Sequence, residues 1–553
     1  MKRAEKLLSR MEDEADPAPI PNVLTYTSFL GGLSRCKERD LARRAEQVLD
    51  RMVRLNVQAD MVAYTSVLNC WSKATSRRER ELAASRAQRL LQEMERAYAR
   101  SEYHLKPSLI TYATVIRAIG NSMDYNAPKM AEDMLQHMYE VHESGLIANV
   151  KPTTSTYNAV LNALSRGKGN RRDRYARRAE ELLEEMTRLA ASGEVDVRPD
   201  VRTWAAVLRA WSYSGIDDAA ENAQRVLEEL ERRYEEGSAS FRPNYVCYTT
   251  VMGAWGSSKR TDALDKLETL LRKMEDGYEE TQEADIRPNT ISYVTAIDSY
   301  VRQDERNAAK RAQATVDRMT RLYAKGLGHV RPTRIIFNTL IHAWSKSSDR
   351  DAAKKAEMIF KWMEAQYQAG DDLVRPDQVS LCAVLNAWAT QALHGGADRA
   401  LQIFQHTKAT PLAKRGFHLS ISMVNIVIKA IARSGSEDSV EKVEEILSQL
   451  EEDYQSGRSS LRPDVATYSS VINCCAYYKY PAKKALALDV AMRTFDKVRH
   501  LPEEGPNNIT FGTLFKAISC LMPPSDEREA LVQELFDEVG WHDPPGVTLR
   551  KGL

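Results

Sequence analysis

The sequence predicts an all-α protein, an α-solenoid of stacked helix-turn-helix hairpins that forms a right-handed superhelix. Two observations support this prediction. Nearly the same eighteen residues recur at 198–215, 242–259, 331–348 and 375–392, and no stretch alternates apolar and polar residues as a half-buried strand would. The 553 residues exceed one ordinary core, and 28% charged with 43% hydrophobic residues is typical of an ordered, helix-rich chain.

The repeat can be counted from the residue two places after each motif proline or its substitute. The starting positions are 23, 61, 109, 154, 201, 245, 290, 334, 378, 421, 465 and 508. Residues 23–507 therefore form eleven units of 38 to 48 residues, and such spacing is typical of a solenoid. Residues 1–22 look like the second helix of a truncated preceding repeat, and residues 508–553 are predicted to be a partial C-terminal capping repeat.

The first helix of each unit is predicted to open near the proline, which lacks an amide proton that a helix start would leave unpaired. An aromatic residue follows, with apolar residues three and four places on, as in Tyr248, Val251, Met252 and Trp255. We expect the tryptophans that recur at this last place to pack between neighbouring helices. They are Trp71, Trp211, Trp255, Trp344 and Trp388.

The second helix of each unit shows a small residue followed by an apolar stripe, as in Ala179, Leu182, Leu183 and Met186. The alanine allows two helices to approach closely. A recurrent Tyr-x-x-Gly follows, as at 234–237, and its glycine is predicted to end the helix in a left-handed turn. Acidic residues are frequent in these helices, and we expect them to give the outer face a negative charge.

Composition excludes several classes of function. The net charge of +1 does not indicate a nucleic-acid binder, so a polyanion would need a local stripe of cations. There is no run of 18 apolar residues, and the seven cysteines show no CxxC spacing and read as reduced, mostly packed thiols. The ten histidines form no HExxH and no deaminase motif, and no Gly-rich phosphate loop occurs. We predict no enzymatic activity, no metal and no cofactor.

The segments PTTSTYNAVLN at 152–162, PTRIIFNTLIH at 332–342 and PDVATYSSVIN at 463–473 resemble the first half of a pentatricopeptide repeat. The Ala-x-x-Leu-Leu-x-x-Met stripe resembles its second half, whereas the tetratricopeptide pattern fits worse. The resemblance is to a P-type array with unusually long repeats of about 44 residues. Most of the excess lies between the second-helix methionine and the next proline, and a longer segment can change the pitch and thereby the nucleotide register.

The resemblance implies that the residue after the first-helix aromatic and the residue after the next unit's proline together face one RNA base. Asp, Asn, Ser and Thr beside a proline are also typical helix N-caps. Asparagine inside a helix is harder to explain by stability, because it competes for backbone hydrogen bonds. The implied base-reading pairs are Thr27 with Asp60, Thr65 with Ser108, Asn158 with Asp200, Thr249 with Asn289, Asn338 with Asp377, Asn425 with Asp464, and Ser469 with Asn507.

Two sets of cations recur at fixed places and are candidates for RNA phosphate contacts. The alternative for each is a solvated charged rim. One set precedes the motif proline and comprises Arg198, Arg242, Arg287, Arg331, Arg375 and Arg462, with Lys106 and Lys151 at the same place. The other lies eight residues after the first base-reading position, where the family contacts phosphates, and comprises Arg35, Lys73, Arg166, Arg302, Lys346 and Arg433.

By resemblance, Asn-Asp pairs favour U, Thr-Asp pairs favour G, and Thr-Asn or Ser-Asn pairs favour A. The implied preference from the N- to the C-terminus is G-N-N-U-N-A-N-U-N-U-A. The resemblance also implies a single-stranded RNA partner, no membrane, and a role in organellar RNA processing, stabilisation or translation alongside other RNA-processing or ribosomal proteins. The implied location is the mitochondrion, with the plastid as alternative, although no targeting peptide is visible. The rival interpretation is a protein-binding scaffold or a structural component of an organellar ribosome.

Overall fold

The computed structural model describes residues 2–12, 21–36, 38, 40–147, 149–193, 196–303, 307–326, 330–391, 395–409, 419–501 and 505–539. Within these ranges the regular elements are 25 α-helices and a few short 3-10 turns, with no strand. The predicted all-α class is confirmed. The predictions for residues 13–20 and 540–553 fall on residues that the structure does not describe.

The even-numbered helices are the first helices of successive hairpins, and the odd-numbered ones are the second. The first helices are α2 (Val23–Arg35), α4 (Met61–Ser72), α6 (Leu109–Asn121), α8 (Thr154–Ser165), α10 (Val201–Ser212), α12 (Tyr245–Ser257), α14 (Thr290–Arg302), α16 (Arg334–Lys346), α18 (Gln378–Thr390), α20 (Ile421–Ser434), α22 (Val465–Ala476) and α24 (Asn508–Leu521). The others are α1 (Lys2–Glu12), α3 (Leu41–Arg54), α5 (Arg77–Ala99), α7 (Ala127–Glu143), α9 (Arg172–Ala191), α11 (Ala219–Glu235), α13 (Ala263–Thr281), α15 (Ala308–Ala324), α17 (Ala352–Gln368), α19 (Gly396–Ala409), α21 (Ser439–Gln455), α23 (Lys484–Arg499) and α25 (Asp526–Val539).

The chain divides into two compact units, Met1–Ser299 and Tyr300–Leu553. In the first unit, α4, α6, α8 and α10 each pack against the next first helix, and these helices and α12 each pack against the second helix of their own hairpin. In the second unit, α16, α18, α20 and α22 likewise pack against the next first helix and against their own second helix, and α24 packs against α22, α23 and α25. Each hairpin therefore contacts its neighbours, as stacked repeats require. The exact division into eleven repeats with a partial one at either side stays a prediction.

The first helices begin two residues after the motif proline, at the starting positions counted from the sequence. Pro199 precedes Asp200, and Asp200 is the extended N-cap residue of α10. Its side chain accepts a hydrogen bond from the Thr203 amide at 2.9 Å, and the Thr203 hydroxyl accepts from the Asp200 amide at 3.0 Å. This reciprocal capping satisfies amides that the first turn leaves free. The proline is outside the helix, where its fixed φ suits the extended approach to the cap.

The glycine of each Tyr-x-x-Gly adopts the predicted left-handed backbone. Gly237, Gly326, Gly370 and Gly457 have φ values of 72°, 95°, 102° and 69°. A side chain at this φ would be strained. The prediction that these glycines end the second helices is confirmed.

The motif tyrosines make a contact that sequence patterns did not reveal. In six of them the hydroxyl donates to a glutamate of a second helix, in most cases the helix immediately before it. The pairs are Tyr26–Glu12, Tyr112–Glu95, Tyr157–Glu185, Tyr248–Glu231, Tyr293–Glu275 and Tyr468–Glu451, at 2.6 to 3.0 Å. Burial, then the bond to Glu95, raises the pKa of Tyr112. These bonds fix consecutive helices in register at the end of the apolar stripe.

The recurring tryptophans lie between helices, as predicted. In four of them the indole Nε1 donates to a glutamate or glutamine 31 residues earlier, on the preceding second helix. The pairs are Trp211–Glu180, Trp255–Gln224, Trp344–Gln313 and Trp388–Glu357, at 2.8 to 3.2 Å. The buried Trp71 has no hydrogen-bond partner for its Nε1 in the described part of the chain.

This difference predicts unequal costs for one substitution. Trp211→Phe removes a hydrogen bond to a carboxylate, whereas Trp71→Phe removes an indole N–H that is already unpaired. We expect the free energy of unfolding to fall by about 1–2 kcal/mol more for Trp211→Phe, since both changes remove similar ring area. Urea denaturation of both variants measures this, and equal losses would show that the indole bond contributes nothing.

The second helices do not form a negative face, which corrects the prediction made from their acids. Cations of one second helix bind carboxylates of the preceding one, so the charges alternate along the array. The pairs are Arg86–Glu46, Arg178–Glu132, Arg225–Glu180, Lys273–Glu231, Arg399–Glu357, Lys442–Asp398, Arg493–Glu444 and Lys497–Glu451. Each exposed pair contributes little, but the series sets the lateral register.

Candidate nucleic-acid interface

Three of the implied base-reading pairs are in direct contact, although their members lie 39 to 42 residues apart. The amide nitrogen of Asn158 donates to Oδ1 of Asp200 at 3.1 Å. Asn338 donates to Asp377 at 2.9 Å, and Asn425 to Asp464 at 3.4 Å. In each case an asparagine inside one first helix meets the N-cap of the next first helix.

The amide oxygens of these asparagines differ in their partners. Oδ1 of Asn158 accepts from the Thr203 hydroxyl at 2.8 Å. Oδ1 of Asn338 and of Asn425 is buried and has no partner within the described ranges. A buried acceptor without a donor costs about 1–3 kcal/mol. Two of the three pairs thus carry an acceptor that a donor from another molecule would satisfy after a side-chain rotation.

Two further pairs meet through a shared hydroxyl. Thr111 lies 3.2 Å from the Thr65 hydroxyl and 3.1 Å from the Ser108 hydroxyl. In the same way, Thr510 lies 2.9 Å from the Ser469 hydroxyl and donates to Asn507 at 3.1 Å. The bridging hydroxyl is the N3 residue of the capping box, a position that sequence reasoning had not included in the site.

In the remaining two pairs, whose residues all lie in the described ranges, the two members do not hydrogen-bond to each other. The Thr27 hydroxyl donates to the Leu24 carbonyl at 3.1 Å, and the Thr249 hydroxyl to the Tyr245 carbonyl at 2.7 Å. Both hydroxyls therefore bond within their own helix. Their partners serve as caps, since Asp60 accepts from the Ala63 amide at 2.8 Å and Asn289 from the Ile291 amide at 2.9 Å.

All second members of the pairs lie at helix N-caps, so the capping alternative describes their local geometry. Capping does not use all of a carboxylate, which has about four acceptor sites. Asp377 shows this, because its Oδ1 accepts from Asn338 and from α18 amides while its Oδ2 takes Arg334 at 3.2 Å. The arrangement can accept hydrogen bonds from N–H groups such as those on uracil or guanine edges.

The cations that precede the proline are largely engaged by the protein. Arg331 binds Asp371 at 2.8 Å and lies 5.7 Å from the ring centre of Tyr323. Arg242 binds Glu283 at 3.1 Å. Arg375 lies 5.4 Å from the ring centre of Tyr367. These contacts link consecutive inter-repeat segments, which favours a structural role for them over a phosphate contact.

The others of this set have different surroundings. Arg198 and Arg287 are exposed, and Arg462 is half-buried. Lys106 lies over the Tyr98 ring at 5.9 Å, as Arg331 and Arg375 do over theirs. In these three cases a tyrosine supports the cation eight residues after it, which the sequence pattern alone did not show.

The second set of cations lies at the ends of the first helices. Arg35, Arg302, Lys346 and Arg433 are exposed. Lys73 donates to the Ser34 carbonyl at 2.8 Å, and Arg166 donates to Oδ1 of Asn121. Eight residues of helix place each about 12 Å from the base-reading position of its own helix. This set is the better placed of the two for phosphates.

Other chemistry finds no support in the described residues. No group of three His, Cys, Asp or Glu side chains is arranged to hold a metal, and no described helix is long and apolar enough to cross a membrane. All seven cysteines are free. Burial raises the pKa of Cys247 to about 11 and those of Cys70 and Cys474 to about 12, so these thiols are poor nucleophiles.

Comparison with known families gives a match to the pentatricopeptide repeat domain at residues 47–122 and 278–347. Comparison with curated proteins gives no match. Among solved structures, the chain is similar to the pentatricopeptide repeat protein PPR10 from maize, with 17% identity, a TM-score of 0.48, and 99% and 72% of the two chains covered.

Two neighbours were solved with RNA. PPR10 in complex with an 18-nt psaJ RNA element has 20% identity and a TM-score of 0.40, with 97% of this chain and 79% of that chain covered. Yeast Rmd9p in complex with a 16-nt target RNA has 9% identity and a TM-score of 0.39, with 94% and 88% covered.

Proposed function

Since residues 47–122 and 278–347 match the pentatricopeptide repeat domain, we propose that this chain is a pentatricopeptide repeat protein that binds single-stranded RNA sequence-selectively and contacts one base per repeat. The observation that supports this most directly is the recurrence of one contact. In three hairpins an asparagine of the first helix meets the capping aspartate of the next first helix, at 2.9 to 3.4 Å. Asparagine is unfavourable inside a helix, so its recurrence at this position supports a function for its side chain.

The chemistry of these pairs suits base edges. Each pair offers oxygen acceptors that are held in place by the capping of the next first helix. The conformational entropy of these side chains is therefore lost on folding rather than on RNA binding. Only an unpaired base exposes its Watson–Crick edge to such groups, so the proposal is for single-stranded RNA. Four first helices also carry an exposed cation, Arg35, Arg302, Lys346 or Arg433, about 12 Å from the base-reading position, and these cations support contacts with the phosphates of the same strand.

By family resemblance, the proposal extends to the cellular process and to the location of the protein. It includes RNA processing, stabilisation or translation in the mitochondrion, with the plastid as alternative, and no catalytic step by this chain. The protein-scaffold alternative is favoured by the arginines before the proline, because their bonds and ring contacts serve the protein itself. The implied register of one base per long repeat belongs to the proposal as well.

Salt-dependent binding to RNA separates the two functions. We expect the purified protein to bind a single-stranded RNA carrying the implied string G-N-N-U-N-A-N-U-N-U-A more tightly than the same string with its defined bases exchanged, and to bind double-stranded RNA weakly. Fluorescence anisotropy over a series of KCl concentrations measures all three. Equal affinity for the two single strands would contradict sequence selectivity, and no binding at low salt would favour the scaffold.

A further inference from the structure

A cavity of about 730 Å³ opens where the first and second helices of three consecutive hairpins turn. It lies wholly within the first compact unit. Five cations line it: Lys73, Arg80, Arg166, Lys168 and Arg172. No aspartate or glutamate is among its lining residues, all of which the structure describes. This contrasts with the second helices, where cations are paired with carboxylates of the neighbouring helix.

Three of these cations are held in place by neutral oxygens, Lys73 by the Ser34 carbonyl at 2.8 Å and two arginines by Asn121. Arg80 Nε donates to the Asn121 carbonyl at 3.0 Å, and Arg166 donates to Oδ1 of the same residue. Asn121 itself donates to the Ser72 carbonyl at 2.5 Å. Because neutral acceptors orient the guanidinium groups without cancelling their charge, the cavity is a preorganised site of net positive potential.

The cations also repel one another. Burial, followed by the positive charges of Arg209 and Arg80, lowers the pKa of Arg166. Lys168 and Arg172 have no ion pair within the described ranges. Like charges gathered in one cavity raise the free energy of the free protein, and a bound anion with several oxygens would relieve this. The chemistry of the cavity therefore fits phosphate groups.

The neighbouring hairpins explain why such a site is placed here. The first base-reading position is Ala113 in the third repeat and Ala205 in the fifth. Alanine cannot form a hydrogen bond with a base edge. The cavity lies at the far end of the first helices of the second to fourth repeats, on the level of Lys73 and Arg166. Phosphates can be held there even where bases are not read.

We propose that this cavity is a phosphate anchor, which binds the phosphodiester groups of RNA regardless of base sequence and fixes the strand over the second to fifth repeats. The inference rests on the proposed function, because it assigns the ligand as RNA. Free polyphosphate has the same chemistry and is the other source of such groups, so it must be tested alongside. The planar guanidinium group of each arginine can donate two hydrogen bonds to a pair of phosphate oxygens, whereas each lysine ammonium acts as a point charge.

The test compares two triple variants that lose the same charge. One is Arg166→Gln with Lys168→Gln and Arg172→Gln. The control is Arg272→Gln with Lys354→Gln and Lys361→Gln, whose cations pair with Glu268, Asp351 and Glu357 of their own helices. Anisotropy measures affinity for the implied RNA string and a shuffled string over a series of KCl concentrations, with and without tripolyphosphate.

We expect the cavity variant to lose roughly ten- to hundredfold in affinity at physiological salt, by the same factor for both RNAs. The slope of log K against log salt should fall by about 2, since each single-strand phosphate contact contributes about 0.7. The control should bind as the parent does. If thermal melting shows that the triple variant is destabilised, the double variant Lys168→Gln with Arg172→Gln replaces it, because it leaves the Asn121 bonds intact. We expect its loss of affinity to be proportionally smaller.

The other outcomes overturn the inference in distinguishable ways. If the parent binds RNA and the cavity variant matches the control, the cavity is not an anchor although the proposed function stands. If tripolyphosphate binds the parent but not the cavity variant, and RNA affinity is the same for both, the ligand is a small polyanion. If the parent binds no RNA, the proposed function itself fails.

Discussion

Replacing Arg35, Arg302, Lys346 and Arg433 together by glutamine is expected to weaken single-stranded RNA binding by about two orders of magnitude at physiological salt. These four cations are exposed at the ends of first helices, so their charge is available to phosphates. The slope of log K against log salt should fall by about 3, because four contacts of about 0.7 each are removed. Filter binding over a series of KCl concentrations provides both numbers.

The matched control is the quadruple variant of Arg242, Arg287, Arg331 and Arg375 to glutamine. Arg242 and Arg331 bind Glu283 and Asp371, so we expect a smaller loss of affinity and a smaller change of slope. A larger effect in this control would show that the cations before the proline lie along the RNA. It would also show that the ion pairs open on binding.

Phe515→Ala is expected to destabilise the C-terminal hairpins by about 3–5 kcal/mol. Phe515 is buried in α24, and its ring lies 4.7 Å from that of Phe536 and 6.4 Å from that of Phe511. Because α24 packs on α22 and α23, the loss should spread to the preceding hairpin. Hydrogen exchange should show loss of protection there, with distant hairpins unchanged, as expected for a chain of nearest-neighbour contacts.

Ile509→Ala provides the control, since Ile509 lies on the same helix but is 70% exposed. It should change stability by less than about 0.5 kcal/mol. If Phe515→Ala were equally mild, α24 would not contribute to the stability of the array. The prediction that the last hairpin is a cap would then lose its physical basis.

Much of the fold could be predicted from local patterns. Ala179 and Met186 lie one above the other on a helix face because of the 3.6-residue period. The left-handed turn at Gly237 could be predicted from the backbone preference of glycine alone. The helix starts could be counted from the prolines, but a proline before an N-cap and one inside the first turn look alike in sequence. The order of the residues is the same, and only the backbone angles differ.

What could not be predicted depends on how hairpins stack. The bond from Tyr248 to Glu231 joins two helices whose angle the sequence does not encode locally. The pairing of Arg331 with Asp371 requires adjacent inter-repeat segments to lie side by side. The cavity near Arg166 includes Asn121, which lies in the third repeat where the second and fourth repeats have the cations Lys73 and Arg166. The run RRDRYARR at 171–178 was the sequence signal for it, and a basic run alone does not reveal a cavity.

The central claim is that an asparagine and the next cap select one base. Selection of RNA ligands from a random pool, by the parent protein and by the Asn338→Thr variant, tests it most directly. The change removes the 2.9 Å bond to Asp377 and replaces the amide by a hydroxyl, giving a Thr-Asp pair. We expect the fourth-last base of the implied string to change from U toward G while the other positions are kept. If both proteins select the same base there, Asn338 does not read RNA.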